Sequence, residues 1–148
     1  MTLYVGLKAL HLLGVAAFLF AHGVSGGAAF VLRGEVSNDT RRLLRLSMVA
    51  TMVSDPALLL VIVTGVWMAF LGSWWSRGWT WAAIVVLVAV MVAMFLIVAR
   101  PYYQARDASG KTDGVLAQAL AQTKPMAALW IGGVGLLLLV GLMVLKPF

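Results

Sequence analysis

The sequence of 148 residues contains no cysteine and few charged residues. The absence of cysteine excludes disulfides, thiolate metal sites and cysteine nucleophiles. Charged residues make up 11% of the chain and hydrophobic residues 63%, against about 25% and about 45–50% in soluble domains. A soluble core cannot absorb this apolar excess, so the chain is predicted to lie in a membrane.

Acidic residues are also scarce, with five Asp and Glu against eleven Lys and Arg, for a net charge of +6. The basic residues cluster where apolar runs end, as in loops that face anionic lipid headgroups. We therefore expect these basic residues to interact with the lipid bilayer and not with nucleic acid. Glycine-rich phosphate loops, HExxH zinc motifs and nucleophile elbows are absent too. Any chemistry is then expected to be redox or proton transfer within the membrane.

Four apolar stretches are long enough to cross a hydrocarbon core, which takes about 20 helical residues. They lie near residues 3–32, 46–71, 79–99 and 126–145. Lipid cannot satisfy backbone N–H and C=O groups, so such stretches must be helical. The sequence predicts an all-α fold over residues 1–148, a single domain built as an integral membrane four-helix bundle.

The distribution of basic residues predicts the orientation of the spans. The connections 33–45 and 100–125 hold most of these residues, namely Arg33, Arg41, Arg42, Arg45, Arg100, Arg106, Lys111 and Lys124. The connection between the second and third spans holds only Arg77 and is rich in tryptophan, as an interfacial belt would be. The positive-inside rule then places both basic connections in the cytoplasm and both termini on the outer, periplasmic side of an inner membrane.

Two features of the second basic connection carry further expectations. Arg100, Tyr102 and Tyr103 follow the third span directly and are expected as anchors at the membrane interface. Residues 115–123 are predicted to form a short amphipathic helix that contacts a partner or the membrane surface.

Three ionisable residues lie well inside the spans, namely His11, His22 and Asp55. Such residues are costly in hydrocarbon, so each is a candidate functional residue. Eleven residues make three helical turns plus about 20°, which predicts that the two histidines share one face of the first helix. His22 and Asp55 are expected at similar depth. The pair is either a proton relay or ligand-orienting site, or a polar contact that joins the first two helices.

His11 is also a candidate metal ligand, as an axial ligand of haem b. Bundles hold haem between facing helices, with His and sometimes Met as ligands, and Met68 and Met143 are expected near the depth of His11. Both His11 and His22 are candidate cofactor-binding residues, but two histidines on one helix face cannot ligate one iron, so a bis-His site needs a second protomer. Alternatively, His11 hydrogen-bonds near the headgroups. The eight methionines include pairs about one turn apart that could ligate copper, but core packing is favoured because flexible methionine fills irregular gaps.

Helix packing is predicted at glycines of the first span. Gly23 and Gly27 form a small-xxx-small pair, a pattern that lets a neighbouring helix approach closely. This predicts that the first helix is the packing centre of the bundle.

The motifs resemble known bacterial families. The stretch Leu7–Gly14, the segment Ser54–Ala57 and the segment Thr64–Trp67 resemble a family of predicted integral membrane proteins of unknown function. The spacing of Lys8 and His11 is also similar to the first helix of HemJ-type protoporphyrinogen oxidases and of CopD-type copper-resistance membrane domains.

The HemJ resemblance implies that the first-helix histidine binds haem b, and by position this carries over to His11 alone. The sequence departs from that family downstream, where Gly26–Ala29 stands in place of a Leu-Pro-Arg segment. Two functions are therefore expected as alternatives. One is a haem b- or quinone-associated redox or electron-transfer protein, and the other is a non-catalytic subunit or assembly factor, in a homo-oligomer or a larger membrane complex.

Overall fold

A computed structural model describes residues 2–32 and 36–148, so Arg33 lies outside the described residues. Within these ranges the regular structure is helical. The helices are α1 (Leu3–Val31), α2 (Asn38–Leu71), α3 (Gly78–Ala93), α4 (Arg100–Asp107), α5 (Asp113–Ala121) and α6 (Pro125–Leu145), and a π-helical segment (Met94–Ala99) joins α3 to α4. Four helical segments in the described part are long and apolar enough to cross a membrane, which confirms the all-α fold with four spans.

Helices α1 and α2 form an antiparallel hairpin along a narrow seam. Buried residues are spaced by three, four or seven positions on both helices, with Leu7, His11, Gly14, Ala21 and Ala28 on α1 and Ser47, Ser54, Ala57, Thr64 and Met68 on α2. This is the spacing of a left-handed coiled coil. Because most of these side chains are small, the backbones approach closely. A Cβ atom on Gly14 would lie 3.0 Å from Val61 Cγ2 and 3.4 Å from the Ala57 carbonyl oxygen.

The predicted packing at Gly23 and Gly27 is not formed within the described chain. A Cβ atom at either position would meet nothing within 4 Å, and both residues are exposed. The close approach occurs at Gly14 instead, because Gly14 lies on the seam and the other two lie on the outer side of α1.

Helices α3 and α6 form a second hairpin, which meets the first where α6 contacts α1. Gly135 makes this hairpin tight, since a Cβ atom there would lie 2.5 Å from Val90 Cγ2. In the described chain, α2 and α3 scarcely touch within the membrane-spanning region. The two hairpins therefore pack on each other through α1 and α6 rather than through α2 and α3.

The third span does not end where its apolar run ends. Arg100 N–H donates to the carbonyl of Phe95, five residues back. This wide π turn occurs just before Pro101, which has no backbone donor to continue the regular ladder. The helix axis therefore continues as α4, so the residues after Ala99 are helical rather than an open connection.

Helices α4 and α5 close the end of the bundle formed by residues 36–45 and 100–125, here called the arginine-rich end. Apolar side chains from four segments form a buried cluster there, consisting of Leu32, Leu44, Tyr102, Ala105, Ala108, Leu116 and Leu120. The amphipathic segment predicted at 115–123 belongs to α5. Its apolar face, with Leu116 and Leu120, packs inside the chain.

Two arginines attach α4 and α5, which together form a cap on the arginine-rich end, to α2. Arg106 Nη2 donates to the Ser47 carbonyl oxygen at 2.9 Å and to Thr51 Oγ1 at 2.6 Å. Arg41 donates to the Ser109 carbonyl oxygen and forms an ion pair with Asp113 at 2.6 Å. The basic residues that set the predicted orientation thus also hold the cap in place.

The opposite end is built from tryptophans, as the sequence indicates. The Lys146 ammonium lies 4.9 Å from the ring centroid of Trp74 and 5.5 Å from that of Trp79. The Trp79 N–H also donates to the Phe148 carbonyl oxygen at 3.1 Å. These contacts attach the end of α6 to the connection between α2 and α3.

Candidate functional site

His11 lies in the seam between α1 and α2 and is 8% exposed. Its Nδ1 atom is 3.0 Å from Thr64 Oγ1. Gly65 makes room for the ring, because a Cβ atom there would lie 3.3 Å from His11 Cε1. The Thr64-Gly65 pair thus forms the surface against which this imidazole packs.

The hydrogen bonds of Thr64 indicate which nitrogen of His11 carries hydrogen. The Thr64 hydroxyl donates to the Leu60 carbonyl oxygen at 2.6 Å. With its hydrogen directed to Leu60, the Thr64 oxygen can accept from an N–H at His11 Nδ1, and this tautomer keeps the lone pair on Nε2. A histidine that ligates a metal through Nε2 has its other N–H held by the protein in this way.

The other candidate ligands are distributed differently. Met68 is buried in the seam, 7% exposed, one turn beyond Thr64, whereas Met143 is 42% exposed on α6. In the described part of the chain, no group of three or more His, Cys, Asp and Glu residues is placed to hold a metal ion.

His22 lies beside the seam rather than in it. Its ring stacks on Phe18, with centroids 5.2 Å apart and planes at 19°. A coiled-coil seam drifts by about 20° per heptad relative to a straight helix. Over eleven residues this turns His22 about 50° from His11, instead of about 20°. His11 therefore faces α2, and His22 lines the space between α1, the π segment and α6.

The hairpin register brings Asp55 to the side of His22. His11 lies opposite Thr64, and Gly14 lies opposite Val61. The same register puts His22 level with residue 53, so Asp55 is about 3 Å farther along the axis. His22 directly follows the buried Ala21, and Asp55 directly follows the buried Ser54. In an antiparallel pair of helices, residues that directly follow seam residues lie on the same side of the pair. Among the described residues no hydrogen bond or ion pair joins them, and Asp55 is exposed.

A cavity of about 60 Å³ lies beside His22. Its lining is mostly apolar and includes five polar residues, namely His22, Ser25, Tyr102, Thr123 and Lys124. A buried water needs about 10–15 Å³, and a cavity that holds benzene measures about 150 Å³. The cavity therefore has room for a few water molecules and is too small for a quinone ring. Because Lys124 is exposed, its lining reaches the surface at the arginine-rich end.

Tyr102 is the residue of this site that sequence reasoning assigned to the membrane interface. It is 9% exposed, and within the described structure its hydroxyl is buried without a hydrogen-bond partner. An unpaired buried hydroxyl is unfavourable, and a water in a polar cavity is the usual partner. Nothing in the sequence separates Tyr102 from Tyr103. The continuation of the helix through Pro101 buries the first and exposes the second.

Comparison with known proteins assigns the chain to a family. No curated protein and no solved structure matches it. The family described as "Predicted integral membrane protein (DUF2269)" matches residues 5–147, which is nearly the whole sequence. The chain therefore belongs to this family of predicted integral membrane proteins, in agreement with the resemblance carried by its first two spans.

Proposed function

We propose that this protein is a membrane subunit that carries protons from its arginine-rich end to the middle of the bilayer. One observation carries the proposal: His22 lines a cavity of water size, and Tyr102, which belongs to the same lining, has a buried hydroxyl with no partner among the described residues. Chains of His, Asp and Glu inside spans are typical of proton relays. By the positive-inside rule, the arginine-rich end faces the cytoplasm of a bacterial inner membrane.

The path runs from the exposed Lys124 through cavity water to His22 and then to Asp55. Cavity water accepts a proton from bulk solvent at the exposed end and passes a proton to one imidazole nitrogen, so the water is unchanged, and the other nitrogen then releases its proton to the Asp55 carboxylate. Tyr102 donates to the same water and fixes its orientation. Asp55 ends the path as a neutral carboxylic acid, which is the less costly form in hydrocarbon.

Hydrogen–deuterium exchange at Asp55 tests the path. In detergent-purified protein, the infrared band of a protonated carboxylic acid is assigned to Asp55 by its loss in Asp55→Asn. Its exchange in D₂O is then timed. Tyr102→Phe and His22→Gln are expected to slow exchange by at least about tenfold, since a positioned proton-transfer group contributes at least that much.

Tyr103→Phe is the matched control, because it removes the same hydroxyl from the exposed neighbour and should leave the exchange rate unchanged. Equal rates in Tyr102→Phe and Tyr103→Phe would exclude the cavity path. Absence of the band at every pH would show that Asp55 does not accept a proton.

Haem b ligation at His11 is a second candidate, favoured by the lone pair on Nε2. Bound haem would supply reversible one-electron chemistry, and Met68 lies one turn from the threonine that orients His11. At 8% exposure, His11 reaches a haem only if the seam opens at this end. A Soret band that is lost in His11→Ala and kept in His22→Ala supports ligation. Its absence from protein expressed with added haem argues against ligation.

The competing proposal is a non-catalytic subunit or assembly factor of a larger membrane complex. The exposed position of Asp55 in the middle of α2 favours it, because a carboxylate facing lipid needs a partner. Under this proposal, Tyr102→Phe and His22→Gln leave both assembly and the function of the complex unchanged. Under the proton-path proposal, the same variants assemble but lose proton transfer.

A further inference from the structure

Asp55 lies on an otherwise apolar and exposed part of α2. The neighbours Met52, Val53 and Leu59 are 64%, 48% and 61% exposed, as side chains that face lipid should be. A carboxylate in these surroundings is unfavourable unless it is neutralised or paired. Asp55 also lies on the side of the α1–α2 hairpin that carries His22.

The chain itself offers no lysine or arginine at this depth. The span segments 9–32, 46–71, 78–99 and 125–145 contain neither residue. A second copy of the chain would bring the same four apolar segments, so it too lacks such a cation. His22 lies on the same side but forms no hydrogen bond or ion pair with Asp55 in the described structure.

We infer that the exposed face of α2 around Asp55 is a docking site for a transmembrane helix of another protein that carries a lysine or arginine near its middle. Charge complementarity selects this occupant, because a carboxylate–ammonium pair would form at a depth where the chain has a carboxylate and no lysine or arginine. Helix association in lipid also gains from polar contacts between helices. The inference rests on the exposure of Asp55 and not on the proton path, although a proton reaching Asp55 would break the pair.

Binding of synthetic helices tests the inference. The full chain is reconstituted in phosphatidylcholine vesicles with a polyleucine helix that bears one central lysine and a dansyl group. Energy transfer from the six tryptophans of the chain reports association. The lysine helix is expected to bind about threefold to thirtyfold more tightly than an all-leucine helix, the range of interhelical polar contacts in membranes.

Variants of the chain then decide whether Asp55 is responsible. Asp55→Asn should abolish the preference for lysine, Asp55→Glu should keep it, and Asp107→Asn, at the arginine-rich end, should leave it unchanged. Circular dichroism checks that each variant is folded. Equal binding of the two helices, or a preference that survives Asp55→Asn, overturns the inference. Self-association of the chain that depends on Asp55 also overturns it, because the occupant is then a second copy.

Discussion

The hydrogen bond between His11 and Thr64 permits a direct test of what the buried histidine does. Thr64→Val removes the hydroxyl and leaves the side-chain shape, so the hydrogen bond between His11 and Thr64 is lost inside a closed seam. A buried donor without a partner costs about 1–3 kcal/mol, and hydrogen bonds between membrane helices average about 0.6 and reach about 1.7 kcal/mol. We therefore expect Thr64→Val to lower the free energy of unfolding by about 1–2 kcal/mol.

The assay is reversible unfolding in mixed detergent and SDS micelles, followed by circular dichroism. Thr64→Ser is the matched control, because it keeps the hydroxyl and loses only a methyl group. A double-mutant cycle is completed with His11→Phe, which keeps an aromatic ring in the seam and removes the ring nitrogen that bonds Thr64. Thr64→Val should cost little in that background, which gives a coupling energy of about 1 kcal/mol. The same cost in both backgrounds would refute the assigned hydrogen bond.

Two further predictions use the same unfolding assay. Gly135→Ala should destabilise the protein by about 1–3 kcal/mol through overpacking, since its Cβ atom would lie 2.5 Å from a valine of α3. Gly133→Ala, which meets nothing within 4 Å, should not, and equal effects would contradict the described packing. Arg106→Ala should cost about 1.5–3 kcal/mol, because charged hydrogen bonds to α2 are lost. The exposed Arg100 provides its control, and a similar loss in Arg100→Ala would show that the cap is not held by Arg106.

The spans could be predicted from the sequence because the rule that an apolar segment in lipid must be helical applies to each segment by itself. About 20 apolar residues must be helical in lipid wherever they occur. The end of the third span could not be read from hydropathy, because the helix continues past Ala99 where α5 buries one face of the segment, with Tyr102 and Ala105. Tyr102 and Ala105 owe their burial to packing against Leu44, Leu116 and Leu120, which are distant in sequence.

For the candidate site too, the sequence identifies the residues and the packing of the helices decides where their side chains lie. His11, His22 and Asp55 stand out in the sequence, since ionisable groups inside spans are rare and costly. An ideal helix puts the two histidines on one face. The coiled-coil period, set by small residues on α2 as much as by α1, turns His22 away from the seam. Only the partner helix decides this, because the period of a seam is a property of two helices packed together.

By itself, the sequence determined that the chain lies in a membrane, that it has four helical spans, and which ionisable residues its interior must accommodate. These follow from the chemistry of single segments in lipid. Only the tertiary structure decided that His11 is bonded to Thr64, that Tyr102 joins His22 at a water-sized cavity, and that Asp55 remains uncovered. Each of these depends on the register and separation of two helices, which are fixed by side-chain volumes on both of them.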